Sequence, residues 1–242
     1  MKIALLGYGK MGKIIERIAL ERGHEIVLKK EEFNTFDGLK NADVAIDFSA
    51  PNVAVENIST AINYGIPVIS GTTGWLENYP QIEKLCNEKN AAFLYGSNFS
   101  LGVNLFFELN DYLAKMMAKF KDYEVSMEEI HHTHKLDKPS GTAISLANAI
   151  INHTDKNNWA IENPKADDVF IDVKRIDEVP GIHSVFYNSE VDFIEIKHVA
   201  HNREGFAHGA VIAAEWIIGK KGIFSMKDVL RSEERRVGKE CA

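Results

Sequence analysis

The stretch KIALLGYGKMG, from Lys2 to Gly12, decides the predicted fold. Its apolar run, Ile3 to Leu6, predicts a short buried strand, and a G-x-G-x-x-G pattern follows at once. Directly after it, Ile14, Ile15 and Ile18 recur at the spacing of one helix face. The glycines therefore connect a buried strand to a helix, which is the first half of a crossover unit in a parallel sheet.

Each glycine of this pattern has a separate physical use. Gly7 allows a tight turn, Gly9 lets the backbone approach a pyrophosphate, and Gly12 lets helix and strand pack closely. The helix that begins around Lys10 and Met11 offers free N–H groups to the phosphates. We therefore predict that all five residues bind a dinucleotide. A glycine turn without a ligand is the alternative interpretation.

The alternation of strands and helices continues through the first part of the chain. Further strands are predicted at Glu25–Leu28, Val44–Phe48, Pro67–Ser70 and Ala92–Tyr95, and helices at Val53–Asn63 and around Ile82–Asn87. Short apolar strands that alternate with helices indicate a parallel sheet covered on both faces. This is the architecture of a Rossmann-type domain.

The pattern changes near Leu101. A long amphipathic segment, Gly102 to Phe120, leads into a strand and then into a helix at Gly141–Ile151. The next strand-like runs alternate apolar and polar residues, which suits an antiparallel or mixed sheet with one exposed face. They cover Val169–Arg175, His183–Tyr187 and Asp192–His198. A final apolar helix, Phe206–Ile218, is predicted to pack back onto the first domain.

We therefore predict an α/β chain with a Rossmann-type dinucleotide-binding domain and an inserted α+β domain that has a mixed sheet. The first domain comprises residues 1–101 and 204–230, and the second comprises residues 102–203. The last stretch, 231–242, is highly charged and has no apolar periodicity. We predict that it is a non-native or disordered tail.

The end of the second strand bears on the choice of cofactor. A Rossmann domain usually has an acid there, which binds the adenine ribose hydroxyls. This sequence has Lys29 and Lys30 instead, with Glu31 and Glu32 just after. A lysine at that point favours the 2′-phosphate of NADP(H), whereas a solvated run of charges would select neither cofactor. The sequence leaves NADPH and NADH both open.

Two further loops follow predicted strands at the same edge of the sheet. Gly71-Thr72-Thr73-Gly74 follows the fourth strand, and Asn98-Phe99-Ser100 follows the fifth. Ligands of an open parallel sheet bind at the carboxyl ends of its strands. Together with the glycine loop, these loops indicate a nicotinamide site at the domain junction, although each alone would be an ordinary turn.

The most polar motif is EEIHHTHKLDKPSGTA, at 128–143. It is either a solvated loop or a site that holds an anion and moves a proton. Lys135 supplies a positive charge. The next helix opens with Ser140, Gly141 and Thr142, whose hydroxyls and N–H groups form an anion pocket aided by the helix dipole.

The histidines of this motif admit two roles. His131 or His132 can titrate near pH 7 and serve as an acid or as a carboxylate donor. A metal site of His131, His132 and His134 is disfavoured, because adjacent histidines in a strand point to opposite faces. The motif also offers no acidic or cysteine partner at the right spacing. We therefore predict no metal.

Several ordered motifs together give the chain a family resemblance. They are GYGKMG at 7–12, DFSAP at 47–51, GTTG at 71–74, NFSLGVN at 98–104, HHTHKLDKPSGTA at 131–143, REGF at 203–206 and AEWIIGKKGIFSMKDVL at 214–230. From residue 1 to residue 230 the chain resembles dihydrodipicolinate reductase, the NAD(P)H-dependent enzyme family of the diaminopimelate route to lysine.

The resemblance implies a reaction, an assembly and a set of residue roles. The family reduces a small cyclic imine with two carboxylates, using NADPH, NADH or both, and forms homotetramers through the sheet of the inserted domain. It implies that His131 is the proton donor and that Lys135 is its catalytic partner. His134 is expected to be solvated, and Asp137 to orient the loop. The implied substrate-binding residues are His132, Lys135, Ser140, Gly141 and Thr142. Apart from the resemblance, we predict as further cofactor-binding residues Lys29, Lys30, Phe48, Gly71, Thr72, Thr73, Asn98, Phe99 and Arg203.

Charge and hydropathy argue against several kinds of partner. The net charge of −7 gives no general affinity for nucleic acid or anionic membranes. No segment approaches the ~20 apolar residues that span a bilayer, and the first apolar run is too short for a signal peptide. The two cysteines, Cys86 and Cys241, form no metal-ligand pattern, and their scarcity favours a reducing compartment. We therefore expect a cytoplasmic location.

Two other functions stay open on the sequence. One is another NAD(P)-dependent dehydrogenase of amino-acid metabolism, similar to aspartate or homoserine dehydrogenase. The pair His131-His132, followed by the pattern Lys-x-x-x-Pro-Ser-Gly-Thr that begins at Lys135, argues against this function. The other is a cofactor-sensing protein without turnover, which would not need Lys135 and His131 beside an anion pocket.

Overall fold

The computed structural model of the protein describes residues 1–31, 35–202 and 204–231. The chain forms two compact units, one of Met1–Leu101 together with the chain from Glu204 onward, and one of Gly102–Arg203. Each unit has its own sheet and its own apolar core. Among the described residues, none of the helices is both long and apolar enough to cross a bilayer.

The helices and strands follow one another in this chain order: β1 (Lys2–Leu6), α1 (Lys10–Glu21), β2 (Glu25–Lys30), β3 (Val44–Asp47), α2 (Pro51–Asn63), β4 (Val68–Ser70), α3 (Tyr79–Glu88), β5 (Ala92–Tyr95), α4 (Leu101–Met117), β6 (Glu124–His131), α5 (Gly141–His153), β7 (Asn158–Ala160), β8 (Asp168–Arg175), β9 (Ile182–Asn188), β10 (Phe193–Val199), α6 (Glu204–Ile217) and β11 (Gly222–Phe224).

The first unit is built on a six-stranded sheet in the order β11-β5-β4-β3-β1-β2, with every neighbouring pair parallel. The strand order reverses at β1 and β3, which is the switch point where open sheets of this kind bind ligands. One face of the sheet is covered by a core that includes Ile15 of α1 and Ala210 of α6. The other face is covered by a core that includes Ile58 of α2 and Ile82 of α3.

The second unit has a five-stranded mixed sheet in the order β10-β9-β6-β8-β7. Strand β6 is parallel to β8 and antiparallel to β9, and it occupies the centre. Residues of α4 and α5, such as Phe106 and Leu146, form a core against this sheet. Along β6 and β10 the burial alternates residue by residue, as a sheet with two unlike faces requires.

These units confirm the predicted fold class, and several details of individual elements differ from the prediction. The strands β7 and β11 were not predicted, because each has only three residues and lacks the continuous apolar run that marks the equally short β4. Strand β2 runs two residues further than predicted, since Lys29 and Lys30 pair with the end of β1. The predicted roles of Arg203 and of the tail beyond residue 231 fall outside the described residues and stay predictions.

Candidate active site

The glycine loop between β1 and α1 leaves little room for side chains. Gly7 has a φ of 107°, which L side chains rarely adopt, and a Cβ there would lie 2.2 Å from the carbonyl oxygen of Phe48. A Cβ on Gly12 would lie 2.4 Å from the carbonyl oxygen of Gly7, whereas one on Gly9 would meet nothing within 4 Å. The fold therefore requires Gly7 and Gly12, while Gly9 leaves open space beside the backbone.

The start of α1 is suited to an anion. The helix begins at Lys10, which is exposed, and Met11 is half-buried. The N-cap residue is Gly9, which has no side chain that could bond to the first N–H groups. These groups also have no acceptor inside the helix, so they stay available to a phosphate.

A cleft of about 490 Å³ lies beside this loop, within the first unit. Its lining includes Gly7 and Gly9 of the loop, Lys30 at the end of β2, Phe48 just after β3, and Asn57 of α2. These elements meet at the switch point of the sheet. The residues present thus fit the phosphates and ribose of a dinucleotide.

The two lysines at the end of β2 have different surroundings. The ammonium of Lys29 lies 2.5 Å from Oε1 of Glu16 and over the ring of Tyr8. The hydrogen bond with Glu16 raises the pKa of Lys29. Lys30 is only 7% exposed, and its ammonium lies 4.7 Å from the ring centre of Phe36. Among the described residues that line the cleft, Lys30 is the cation, and the acid Glu31 lines it as well.

A buried carboxylate, Asp47, joins the loops at this edge of the sheet. It accepts hydrogen bonds from the hydroxyls of Ser49, Ser70 and Thr72 at 2.6, 2.8 and 2.8 Å, and from the Asn57 amide at 3.1 Å. Burial raises the pKa of Asp47, and these hydrogen bonds oppose the shift. Because its hydroxyl also accepts the Ser49 N–H, the side chain of Thr72 is already engaged within the protein.

The other cofactor-binding candidates lie near the carboxyl ends of β3, β4 and β5. Gly71 packs against Phe48, since a Cβ on Gly71 would lie 2.3 Å from the Phe48 ring. Thr73 is exposed, and Asn98 accepts a backbone N–H two residues further along the chain. Phe99 is buried in the core, with its ring centre 5.6 Å from that of Phe48. The structure therefore gives Phe99 mainly a packing role.

The second candidate site is formed by the end of β6, the loop 132–140 and the start of α5. His131 is the last residue of β6 and is buried, while His132 and Lys135 are half-buried. The ammonium of Lys135 donates to Asp137 Oδ1 at 2.8 Å, and the role of Asp137 in orienting the loop stays a prediction. His134 is solvated, with 79% of its side chain exposed.

The three residues that open α5 differ in what they can offer an anion. Ser140 is buried and caps the helix, accepting the Ala143 N–H at 3.2 Å. Its own N–H donates to Glu129, and its hydroxyl lies 3.1 Å from Nε2 of His183. Gly141 is exposed and Thr142 is half-buried. Their N–H groups have no acceptor inside the helix, so they remain available to an anion.

A second buried carboxylate, Glu129, lies at the centre of this site. Its Oε1 accepts a hydrogen bond from Arg175 at 3.0 Å. Its Oε2 lies 3.9 Å from Nδ1 of His131 and 3.8 Å from Nε2 of His183. One hydrogen-bonded and charged cluster therefore joins the predicted proton donor to the helix start.

Burial dominates the ionisation of this cluster. It lowers the pKa of His131 to about 4 and that of His183 to about 3, although the Glu129 charge opposes both shifts. Burial raises the pKa of Glu129, but the bonds from Ser140 and Arg175 outweigh it and hold the pKa below its ordinary value. Near pH 7 both histidines are therefore neutral and Glu129 is ionised in the free protein.

The same cluster has the spacing of a metal site. One donor atom each from Glu129, His131 and His183 lies within 4.8 Å of the others. The sequence argument that no acidic partner is suitably placed was therefore wrong, because Glu129 lies two residues before His131 on one strand face. Its carboxylate already accepts bonds from Arg175 and Ser140, and the guanidinium charge opposes a second cation. We interpret the cluster as a hydrogen-bonded network.

Four residues of these two sites were missed by the sequence argument: Asp47, Glu129, Arg175 and His183. A signal existed for Glu129, because residues two apart on a strand share a face and His131 was already a candidate. Arg175 and His183 come from β8 and β9. Their pairing with β6 depends on tertiary structure, so nothing in the local sequence marks them.

Comparison with known families matches both parts of the chain. Residues 1–99 match the model "Dihydrodipicolinate reductase, N-terminus", and residues 102–230 match "Dihydrodipicolinate reductase, C-terminus". The two matches meet close to the boundary between the two compact units.

Individual relatives agree with this match. A 4-hydroxy-tetrahydrodipicolinate reductase of Christiangramia forsetii is 52% identical over 95% of this chain and 98% of its own length. The protein of the same name from Methanosarcina barkeri is 35% identical over 92% of this chain and 82% of its own. A dipicolinate-bound dihydrodipicolinate reductase from Paenisporosarcina sp. TG-14 shares the fold, with a TM-score of 0.76 at 20% identity, over 94% of this chain and 98% of its own.

Proposed function

The chain belongs to the dihydrodipicolinate reductase family, and we propose that it reduces 4-hydroxy-tetrahydrodipicolinate to tetrahydrodipicolinate in the diaminopimelate route to lysine, with uptake of a hydride and a proton and loss of the 4-hydroxyl group as water. The observation that carries this proposal is the family match over both units of the chain. It favours this reductase over an aspartate or homoserine dehydrogenase, and an enzyme over a cofactor sensor.

A nicotinamide cofactor supplies the hydride when it is bound. The residues that would hold its phosphates are Gly7, Gly9 and Gly12, with the N–H groups at the start of α1. The open space at Gly9 and the adjoining cleft support this assignment.

The substrate is a small cyclic imine with two carboxylates, so it needs cations and N–H donors at one place. Lys135 brings a positive charge, and the N–H groups of Gly141 and Thr142 offer donors at the positive end of the α5 dipole. Because Asp137 already holds the Lys135 ammonium, the substrate carboxylate has to compete with it or join it. His132 is a further donor beside Lys135 in the sequence.

His131 is the proposed proton donor, and its neutral state in the free protein sets a condition on that role. Its pKa of about 4 leaves few protonated molecules at pH 7. A bound dianion brings two negative charges toward the imidazole, and nearby negative charge favours the protonated form. Substrate binding is therefore expected to draw a proton onto His131, which the ring then delivers to the substrate atom that becomes basic.

We propose that NADPH is used at least as well as NADH. The support is Lys30, a nearly buried cation that lines the cleft and has no carboxylate at ion-pair distance among the described residues. A 2′-phosphate in that cleft would meet a positive charge. Lys29 contributes less, because Glu16 already neutralises it.

We also propose a homotetramer formed through the sheet of the second unit, in a cytoplasmic enzyme. The support is the edge strand β10, which exposes Phe193 by 55% and Val199 by 43%. Apolar side chains on an edge strand favour pairing with another copy. Light scattering should give four times the monomer mass, and Phe193→Glu should lower it; a wild-type monomer at micromolar concentration would contradict this assembly.

The function is tested by following oxidation of NADPH and NADH in the presence of freshly prepared product of the synthase that precedes this step. We expect rapid oxidation of the cofactor that depends on the synthase product. Aspartate or homoserine, mixed with NAD(P)⁺ and the protein, should give no reduction of NAD(P)⁺. Turnover with those amino acids, and none with the synthase product, would overturn the proposal.

A further inference from the structure

A buried acid connects the predicted proton donor with the predicted anion pocket. Glu129 and His131 are two residues apart on β6, so their side chains share the buried face of the strand. The Oε2 atom of Glu129 accepts the N–H of Ser140 at 2.9 Å, which fixes the residue that caps α5. The same oxygen lies 3.9 Å from Nδ1 of His131. One carboxylate oxygen therefore lies close to both the imidazole and the residue that caps the helix.

Arg175 extends this connection to the loop that carries Lys135. Its guanidinium donates to Oε1 of Glu129 at 3.0 Å and to the carbonyl oxygen of Asp137 at 2.7 Å. A longer bond, 3.4 Å, reaches the carbonyl oxygen of Lys135. The Arg175 side chain is 9% exposed and its partner Glu129 is fully buried, so their bond is largely shielded from solvent, whereas the bond to the Asp137 carbonyl lies at the surface. The pair Glu129–Arg175 thus ties β6, the loop and α5 to β8.

Glu129 also acts on the charge of His131. The charged and titratable groups that face this imidazole are Glu129 and Asp137, the cations Lys135 and Arg175, and the ring of His183, 5.0 Å away centre to centre. The two cations and the burial disfavour the imidazolium, and Glu129 is the largest contribution that favours it. Nδ1 of His131 is buried and has no hydrogen-bond partner among the described residues, so this support is a charge effect.

We propose that Glu129 and Arg175 are positioning residues for the reduction, which hold His131, Lys135 and the start of α5 in one arrangement, and that the Glu129 carboxylate keeps His131 able to take up a proton. This inference rests on the proposed function. It assigns neither residue a contact with the substrate.

The central test is Glu129→Gln, which keeps the shape of the side chain and removes its charge. We expect kcat to fall about 10- to 100-fold, because less His131 is protonated at neutral pH and the loop is held less firmly. In a plot of kcat against pH, kcat of the wild type should fall at high pH as His131 loses its proton; this falling part is called the pH limb. In Glu129→Gln the pH limb should move by about one pH unit to lower pH, because loss of a nearby negative charge lowers the pKa of His131. Affinity for NADPH should not change.

Glu128→Gln is the matched control. Glu128 lies on the opposite face of the same strand and pairs with Lys174, away from the cluster. The same chemical change there should leave kcat and the pH limb as in the wild type. Glu129→Asp, which restores the charge on a shorter side chain, should return the pH limb toward the wild-type position while kcat stays low.

A second readout does not depend on turnover. Calorimetry of dipicolinate binding in buffers of different ionisation enthalpy measures the protons taken up. Near pH 6 we expect the wild type to take up a large fraction of one proton and Glu129→Gln less than about half as much. Equal uptake, with an unchanged pH limb, would overturn the inference while leaving the proposed function intact. A wild type that binds dipicolinate but does not reduce the synthase product would contradict the proposed function alone. A wild type that neither binds dipicolinate nor reduces the synthase product would contradict both the proposed function and this inference.

If Glu129→Gln does not fold, the variant Arg175→Lys tests the positioning role instead. Lysine preserves the charge but cannot reach the carboxylate and the loop carbonyls together. We expect a lower kcat and a higher KM with an unmoved pH limb. Wild-type kinetics in a folded Arg175→Lys protein would overturn the positioning role.

Discussion

Oε2 of Glu129 lies 3.9 Å from Nδ1 of His131, and both side chains are buried on one face of the central strand β6. At this distance, in surroundings shielded from water, the carboxylate exerts a strong effect on the imidazole. Burial works in the opposite direction and prevails, since the pKa of His131 falls to about 4. His131 is thus held neutral but close to a group that favours its protonation, which suits a residue that must acquire a proton only with its substrate.

The buried histidines make the protein less stable in mild acid. Burial lowers the pKa of His131 to about 4 and of His183 to about 3, below the ordinary 6.5 of an unfolded chain. Between pH 6.5 and these values the unfolded chain binds more protons than the folded protein does. The contribution of the neutral histidines to the free energy of unfolding is therefore complete above pH 6.5 and decreases as the pH falls. From pH 7 to pH 5 we expect a loss on the order of 1–2 kcal/mol per histidine, or several degrees in Tm.

Thermal unfolding at pH 7, 6 and 5 measures this effect. His183→Gln should reduce the loss of Tm across that range, because it removes one group that has to be neutral in the folded state. His134→Gln is the control, since His134 is exposed and should leave the slope unchanged. A Tm that does not vary between pH 7 and pH 5 would contradict the neutral, buried state of the pair.

The glycines of the first loop should respond differently to the same change. Gly7→Ala places a Cβ 2.2 Å from a backbone oxygen at a left-handed φ, so we expect a loss of about 2 kcal/mol or more and a Tm several degrees lower. Gly9→Ala meets no protein atom within 4 Å and should change stability by less than about 0.5 kcal/mol. It should nevertheless weaken cofactor binding at least tenfold, because the methyl group would occupy space that the pyrophosphate needs.

Differential scanning calorimetry and cofactor titration separate these two outcomes. Gly65→Ala is a useful comparison for Gly7, since Gly65 also has a positive φ but no neighbour within 4 Å. The difference between the two variants isolates the contribution of the close contact. Unchanged cofactor affinity in Gly9→Ala would remove this loop from the binding site.

The first unit was predictable because its signals are local. The apolar run Ile3–Leu6, the glycines and the helix spacing of Ile15 and Ile18 lie within one short stretch, and each indicates the same crossover unit. The bounds of β2 were less accessible. Lys29 and Lys30 look like a solvated run, and only their pairing with β1 extends the strand through them.

The second site could be predicted only in part, because its polar groups come from distant parts of the chain. The motif around His131 and Lys135 is continuous in sequence and was identified. Arg175 and His183 are brought to it by the pairing of β6 with β8 and β9. Single-sequence patterns carry no register between strands, so the buried network around Glu129 follows from tertiary structure alone.

Lys30 and Lys29 provide a test of cofactor preference. Lys30→Ala should weaken NADPH binding about 10- to 100-fold, the usual value of a hydrogen bond to a charged group, and should leave NADH binding nearly unchanged. Lys29→Ala should affect either cofactor by less than about threefold, because its charge is already paired with Glu16. Fluorescence titration with both cofactors measures this. Equal losses for NADH and NADPH in Lys30→Ala would contradict a phosphate contact.

The anion pocket should be separable from proton transfer by its effect on KM. Thr142→Val removes a hydroxyl donor at the start of α5 and should raise KM about 5- to 20-fold with little change in kcat. Lys135→Ala removes a positive charge in addition to a hydrogen-bond donor, so it should lower kcat severely and also raise KM. Ser145→Ala is the matched control on the same helix, because the exposed Ser145 hydroxyl bonds to the Gly141 carbonyl within α5. A kcat loss in Thr142→Val as large as that of Lys135→Ala would contradict this division.

His131→Ala should lower kcat about 10²- to 10⁴-fold, the usual range for general acid catalysis. Its KM should change little, because a proton donor acts mainly in the transition state. NADPH affinity should also persist, since the glycine loop and cleft belong to the other unit. His134→Ala is the matched control, because His134 lies three residues along the same motif but is exposed, so its kinetics should equal those of the wild type. Steady-state kinetics of both variants tests whether His131 is the proton donor, and cofactor binding checks that each variant is folded. A near-normal kcat in His131→Ala would mean that another group delivers the proton to the substrate.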